Sequence, residues 1–265
     1  MEERKQTEIE YYDKQARNWL AISAAKGREG DFEGFDPLSL SSYLFCYKLL
    51  AEYCKDKEVL DYGCGNGIHS IFLAKTGAKK VIGIDLSEKS LEAARERAKT
   101  AGVENRVHFL KMDCEKMEFP DNFFDVIFDG GTFSSLDQKL ALPELARVLK
   151  PDGRLIGIET FGHNPLANLK RKINQLTGKR TGWATSHIFR KDDLKTVKNY
   201  FDKIETKYFH LISWLAIPFL KLPGIKSALR IIELFETILF AMPFLQKYAF
   251  KIVFVFSGPK KKDYS

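Results

Sequence analysis

The amino-acid sequence predicts an α/β fold built on a mainly parallel sheet, and three features predict it. From residue 58 onward, short apolar runs alternate with charged, helix-patterned stretches, the texture of successive strand–helix–strand units. A glycine-rich segment, Gly63-Cys64-Gly65-Asn66-Gly67, joins the first of these runs to the first helix. Asp85 closes the second run, 18 positions after Gly67.

The elements follow in order. Residues 1–50 read as a helical lid: 8–23 are amphipathic, Gly27, Gly30 and Gly34 interrupt the pattern, and a second apolar helix is expected over 38–54. The main domain is expected to fill 51–265. Its strands are expected at 58–62, 80–85, 107–112, 124–128 and 154–158, with two more at 203–209 and 250–256, giving seven strands with a mixed edge. Helices are expected at 68–76 and 87–101. In the second of these Ser87 caps the start, acids come early and bases late, which suits the helix dipole. The turn Lys150-Pro151-Asp152-Gly153 opens the fifth strand. Two helical insertions, about 161–195 and 211–247, fall where the acceptor side of such a sheet lies. The second is very apolar, and the spacing of Ile231, Leu234, Phe235, Ile238 and Leu239 predicts one buried helix face.

Composition narrows the class. With 265 residues, 45% hydrophobic and 29% charged, the chain is globular rather than disordered. Cys46, Cys54, Cys64 and Cys114 form neither a C-x-x-C pair nor a metal-ligand spacing, so free thiols in a reducing, cytoplasmic setting are expected. The charged N-terminus lacks the apolar core of a signal peptide. The longest apolar runs, 211–220 and 237–246, fall short of the roughly 18 residues of a spanning helix. Charge is uneven: residues 1–150 carry net −4 and residues 151–265 net +11. The basic half reads either as a solvated face or as a contact for something anionic, a membrane surface included.

The glycine loop is the chemical centre of the sequence. Glycines let the backbone turn sharply and approach a ligand that a Cβ would keep away, and the following helix N-terminus offers free N–H groups. The spacing is G-x-G-x-G, whereas pyrophosphate-cradling dinucleotide loops use G-x-G-x-x-G. A carboxylate placed like Asp85 can accept both hydroxyls of a ribose lying over the loop.

Val59-Leu60-Asp61-Tyr62-Gly63-Cys64-Gly65-Asn66-Gly67 and Val81-Ile82-Gly83-Ile84-Asp85-Leu86 resemble the first two motifs of class I S-adenosylmethionine (SAM)-dependent methyltransferases. Met112-Asp113-Cys114 with Phe119-Pro120-Asp121, and 124–129, resemble the third and fourth. The segment 145–153 resembles the motif after the fourth strand, and the match is closest to the ubiquinone/menaquinone-type small-molecule branch. The resemblance covers about residues 55–160 and implies a Rossmann-like seven-stranded fold with SAM as cofactor. Carried over, it places Gly63, Gly65 and Gly67 along the methionyl moiety, with Cys64 and Asn66 as loop contacts and Asp61 near the amino group. The alternative for Asp61 is a cap of the turn. Asp85 would hold the ribose, Leu86 the adenine face, Asp113 the adenine N6 with Cys114 beside it. Asp129 and Gly130 would adjoin the sulfonium. Tyr12, in a segment that resembles the branch's closing helix, would meet the carboxylate, or else serve as a core aromatic. The stretch 129–135 has no histidine pair or Pro-Pro-Tyr-type box, which argues against methylation of nucleobase or glutamine nitrogen.

For the acceptor, His163 is the first candidate base and His187 the second, each against the alternative of a structural histidine. Glu159, His163 and His187 match no familiar metal spacing, so no metal is expected. A small hydrophobic acceptor methylated at oxygen is the first expectation. A polar or anionic metabolite or a nucleic acid is the second, and a non-catalytic SAM-binding protein the third. Nucleic acid is disfavoured because no aromatic–basic binding module is recognisable. The greasy insertion reads as a lid, a homodimer interface or a lipophilic pocket. Its basic rim (Lys221, Lys226, Arg230, Lys247, Lys251) would touch a membrane from its edge.

Overall fold

A computed structural model describes residues 2–26, 40–220 and 222–260. The breaks expected at Gly27, Gly30 and Gly34, and Lys221 of the basic rim, lie outside the described residues. Strand β1 (Glu58–Tyr62) is apolar toward both faces, as a central strand must be: Val59 enters one core, Leu60 and Tyr62 the other. Around it stand β2 (Lys80–Asp85), β3 (Val107–Lys111), β4 (Phe124–Asp129), β5 (Leu149–Thr160), β6 (Phe201–Phe209) and β7 (Lys251–Pro259). Their order is β3-β2-β1-β4-β5-β7-β6. The first five strands are parallel, and β7 runs antiparallel to both β5 and β6. The seven-stranded α/β sheet with a mixed edge is therefore present, with β5 starting earlier than expected and including the Lys150–Gly153 turn.

Helices cover both faces. α1 (Glu3–Lys26) lies across the sheet's C-terminal end, where its side chains hydrogen-bond the loops after β2, β3 and β4. α2 (Ser41–Tyr53) instead packs into the core, with Cys46 and Leu50 fully buried. α3 (Ile68–Lys75) and α4 (Glu88–Thr100) complete that face, and the Ser87 side chain caps α4 by accepting from the Ser90 N–H at 3.0 Å. α5 (Gln138–Val148) covers the other face through Leu142 and Leu145. The first insertion carries α6 (Pro165–Leu176), α7 (Gly182–Ser186) and α8 (Asp193–Val197). The second carries a 3₁₀ helix (Ser213–Phe219), α9 (Ile225–Leu239) and α10 (Pro243–Gln246).

One expectation is overturned. The apolar stripe of α9 is not buried: Ile231, Leu234, Phe235, Ile238 and Leu239 face solvent. The inward side instead presents Leu229, Glu233 and Glu236. Glu236 accepts hydrogen bonds from the backbone N–H groups of Ile212 (2.6 Å) and Ser213 (2.8 Å), and Glu233 accepts from that of Ser41 (3.3 Å). These donors satisfy the buried carboxylates and turn the helix over. Lys251, expected at the basic rim, is buried beside the ring of Tyr43, 4.8 Å away.

Across β5 and β7, Gly157 pairs with Phe254, whose ring fills the space where a Cβ would stand. Phe254 stacks on Phe256 (4.2 Å) and Phe133 (5.8 Å), so the ring has nowhere to move. Gly157→Ala should therefore destabilise the fold by about 1–3 kcal/mol through overpacking, read as a lower denaturant midpoint at unchanged slope. An unaltered midpoint would show that the sheet yields there.

Candidate active site

The chain passes from β1 to β2 on one side, while β4 lies on the other, so the loops leaving β1 and β4 diverge and open a crevice at their C-terminal ends. A cavity of about 240 Å³ occupies it. Tyr12, Gly63, Cys64, Gly65, Asn66, Asp85, Leu86, Asp113, Cys114 and Gly130 all line this cavity. Asp61, Gly67 and Asp129, expected there too, are not among its lining residues. Asp61 is buried behind the loop, accepts a hydrogen bond from Ser70 Oγ, and is pushed up to about 7 by burial. Gly67 is the N-cap of α3, with φ of 74°. Asp129 is fully buried; one carboxylate oxygen accepts the Thr132 N–H at 2.9 Å and the other has no hydrogen-bond partner. Burial, then the neighbouring carboxylate of Glu159, raises Asp129, and burial raises Glu159 to about 7.

The loop's geometry leaves room for a ligand. Gly65 has φ of 51°, and a Cβ there would project into open space. Its N–H donates to Asp85 Oδ2 at 3.0 Å, and the Ser87 N–H donates to Oδ1 at 2.8 Å. These two bonds fix the carboxylate at the cavity wall, and each oxygen keeps a further lone pair to accept from a ligand. Burial raises the Asp85 carboxyl above its ordinary value.

α1 closes the cavity with ion pairs. Arg4 forms a two-pronged contact with Glu115, 2.7 Å on each side. Lys5 bonds Asp113 at 2.6 Å and Glu115 at 2.7 Å. Farther along, Asp13 accepts from Ser87 Oγ at 2.6 Å, Glu8 from Thr181 Oγ1, and Tyr12 shares a 3.3 Å hydrogen bond with Ser135. The cations of the latch hold Glu115 below its usual range despite burial.

The cavity also contains a histidine that sequence reasoning passed over. His69, in the first turn of α3, is joined through Nδ1 to Tyr47 Oη at 2.8 Å and stands edge-on to Phe128 at 5.0 Å. Burial, then the positive charges of Lys251 and Arg97, lowers it to about 3, so it is neutral at physiological pH. Neither histidine proposed from sequence lines this cavity. His163 accepts the Lys191 N–H at 3.3 Å, and His187 is exposed and stacked on Trp183 at 3.6 Å. Arg4, Lys5, Glu8 and Glu115 were likewise not singled out. Glu115 directly follows the Asp113-Cys114 motif, and that adjacency was the available signal.

A second cavity of about 370 Å³ shares Glu8, Tyr12, Gly65 and Asn66 with the first. Tyr11, Trp19, Lys179 and Arg180 give its wall an aromatic and basic character.

A family model described as a methyltransferase domain matches residues 54–203, and the chain belongs to that family. It is 40% identical over 109 residues to a demethylmenaquinone methyltransferase of Staphylococcus aureus, covering 40% of this chain and 44% of that protein. It is 40% identical over 99 residues to the 27-O-demethylrifamycin SV methyltransferase of Amycolatopsis mediterranei, covering 37% of this chain and 36% of that one. The chain spans less than two thirds of the length of these curated relatives. The fold is similar to that of a geranyl diphosphate C-methyltransferase from Streptomyces coelicolor, solved with S-adenosylhomocysteine. Their TM-score is 0.53 at 15% identity, over 79% of this chain and 76% of that one.

SAM is the donor of this family, and the cavity suits it: a loop free of Cβ atoms at Gly65 and a carboxylate with lone pairs to spare at Asp85. Asp85→Ala should weaken SAM binding by about 1.5–3 kcal/mol in calorimetric titration, because the hydroxyls lose a charged acceptor. Unchanged affinity would remove Asp85 from the donor site.

Proposed function

We propose that the chain transfers a methyl group from SAM to a small lipophilic acceptor, at oxygen. The observation that carries this reading is the mixed lining of the cavity, in which a glycine loop and fixed carboxylates meet Ile9, Ile68, Leu136 and His69. The sulfonium supplies a good leaving group, so the protein's task is alignment and exclusion of water, worth about 7–11 kcal/mol at best. Asp85 accepts the ribose hydroxyls, and Gly65 allows close approach. The ion-paired α1 keeps water out, and the Gly130-Gly131-Thr132 loop backs the reacting end. Among relatives, one is named for acting on 27-O-demethylrifamycin SV and another on demethylmenaquinone, which supports a lipophilic acceptor here.

His69 is the residue assigned to the acceptor. Tyr47 fixes its ring through Nδ1, and the Nε2 edge lies beside Gly130. With its proton affinity this low, His69 orients an acceptor hydroxyl as a neutral imidazole rather than storing the proton. His69→Ala should cut turnover about tenfold or more while leaving SAM affinity within about twofold, the pattern of lost positioning. The same group sets an acid limit. Folded His69 titrates near 3 against about 6.5 unfolded, so its contribution to stability is present above 6.5 and declines as pH falls toward 3. His69→Gln should flatten stability against pH in that window. Wild-type turnover in the alanine variant would remove His69 from the reaction.

A polar or anionic acceptor is the second reading, favoured by Lys179 and Arg180 on the adjoining cavity. Incubating the protein with methyl-labelled SAM and extract of its own host, then partitioning the products, separates the two. Label in the organic phase is the expected outcome. Label confined to the aqueous phase would favour the anionic reading and overturn the lipophilic one.

A further inference from the structure

The apolar stripe of α9 points away from the protein. Ile231, Leu234, Phe235 and Ile238 follow i, i+3, i+4, i+7 spacing and are 59–65% exposed, while Glu233 and Glu236 occupy the inward face. A helix of a water-surrounded domain places these faces the other way round. α6 repeats the feature: Leu166, Leu169, Ile173 and Leu176 form an exposed stripe. The two helices flank the 3₁₀ helix Ser213–Phe219. Lys170 of α6 reaches to 5.4 Å from the Trp214 ring, and Glu236 of α9 holds the backbone N–H groups of Ile212 and Ser213. Leu215 and Phe219 of the segment between them are exposed as well. Exposed apolar stripes on two helices that both contact the same 3₁₀ segment are uncommon on a monomer and mark an interaction face.

The charges around it select the partner. α6 contains no acidic residue, and both acids of α9 are buried and hydrogen-bonded. Lys170, Lys172, Lys226 and Arg230 are exposed on the same two helices. A second copy of the chain would set like charges against one another, whereas an anionic headgroup layer neutralises them. No helix of the described residues is long and apolar enough to cross a membrane. We propose that α6 and α9 together form a docking face for the surface of an anionic lipid bilayer, with their apolar stripes inserted and their basic residues at headgroup level. The face lies outside the donor cavity and does not depend on which acceptor is methylated.

Flotation of the full chain with vesicles tests this. The protein should float with phosphatidylcholine vesicles containing about 30 mol% phosphatidylglycerol, float poorly with phosphatidylcholine alone, and detach as salt is raised. The double variant Phe235→Ser, Ile238→Ser should bind anionic vesicles about tenfold or more weakly, with SAM affinity retained as the measure of an intact fold. Arg230→Glu should lower binding to anionic vesicles while leaving the apolar stripe in place. Failure of the wild-type protein to float, or equal flotation on neutral and anionic vesicles, would overturn the proposal. So would a wild-type dimer in solution that the double variant converts to monomer.

Discussion

The reversal of strand order at β1 is the constraint on which the rest of the molecule depends. β1 is hydrogen-bonded to β2 on one side and β4 on the other, and the chain leaves both β1 and β4 at the same end of the sheet. Two loops are thereby forced apart and must still be tied together. Thr132, after β4, donates its hydroxyl to the carbonyl of Tyr62 at 2.9 Å and lies where a Cβ of Gly63 would clash. The crevice between these loops is the cavity, and the buried Tyr62, whose hydroxyl donates to the Cys114 carbonyl at 2.8 Å, links it to the loop after β3. The sheet core thus helps set the spacing of the site through Tyr62, a buried side chain that does not line the cavity.

Closure by α1 combines ion pairs with packing: its Ala16 is buried and its Trp19 ring lies under Arg97 of α4. The crevice gathers Asp85, Asp113 and Glu115, and α1 answers with Arg4 and Lys5, which pair with the last two. Arg4 and Glu115 are both largely buried, so the pair is shielded from salt and costly to break on one side. The carboxylates that remain in the wall favour a cationic guest, which fits a sulfonium donor.

Legibility in the sequence followed the physics of each element. Strands such as 80–85 and 124–129 announced themselves because both faces are buried and both must be apolar. The loop 63–67 was readable because backbone approach to a ligand admits few residues other than glycine. α9 was misread for a definite reason: periodicity reveals a stripe but not the direction it faces. Only the partners of Glu233 and Glu236, the chain near Ser41 and Ile212-Ser213, show which way it turns. The Arg4–Glu115 pair joins positions 111 apart with no motif around Arg4, so no local pattern foretold it. The histidines were sought after the fifth strand, where acceptor groups commonly collect, whereas the one in the cavity stands on the helix opened by the glycine loop itself.

The central claim is that the crevice between β1 and β4, closed by α1, is where the methyl donor binds. A crystal structure of the chain with S-adenosylhomocysteine tests it most directly. The account predicts ribose hydroxyls within hydrogen-bond distance of both Asp85 oxygens, the homocysteine chain along Gly63 and Gly65, and α1 closed over it through Arg4 and Glu115. Ligand bound elsewhere, or bound in the crevice with Asp85 turned away, would contradict it.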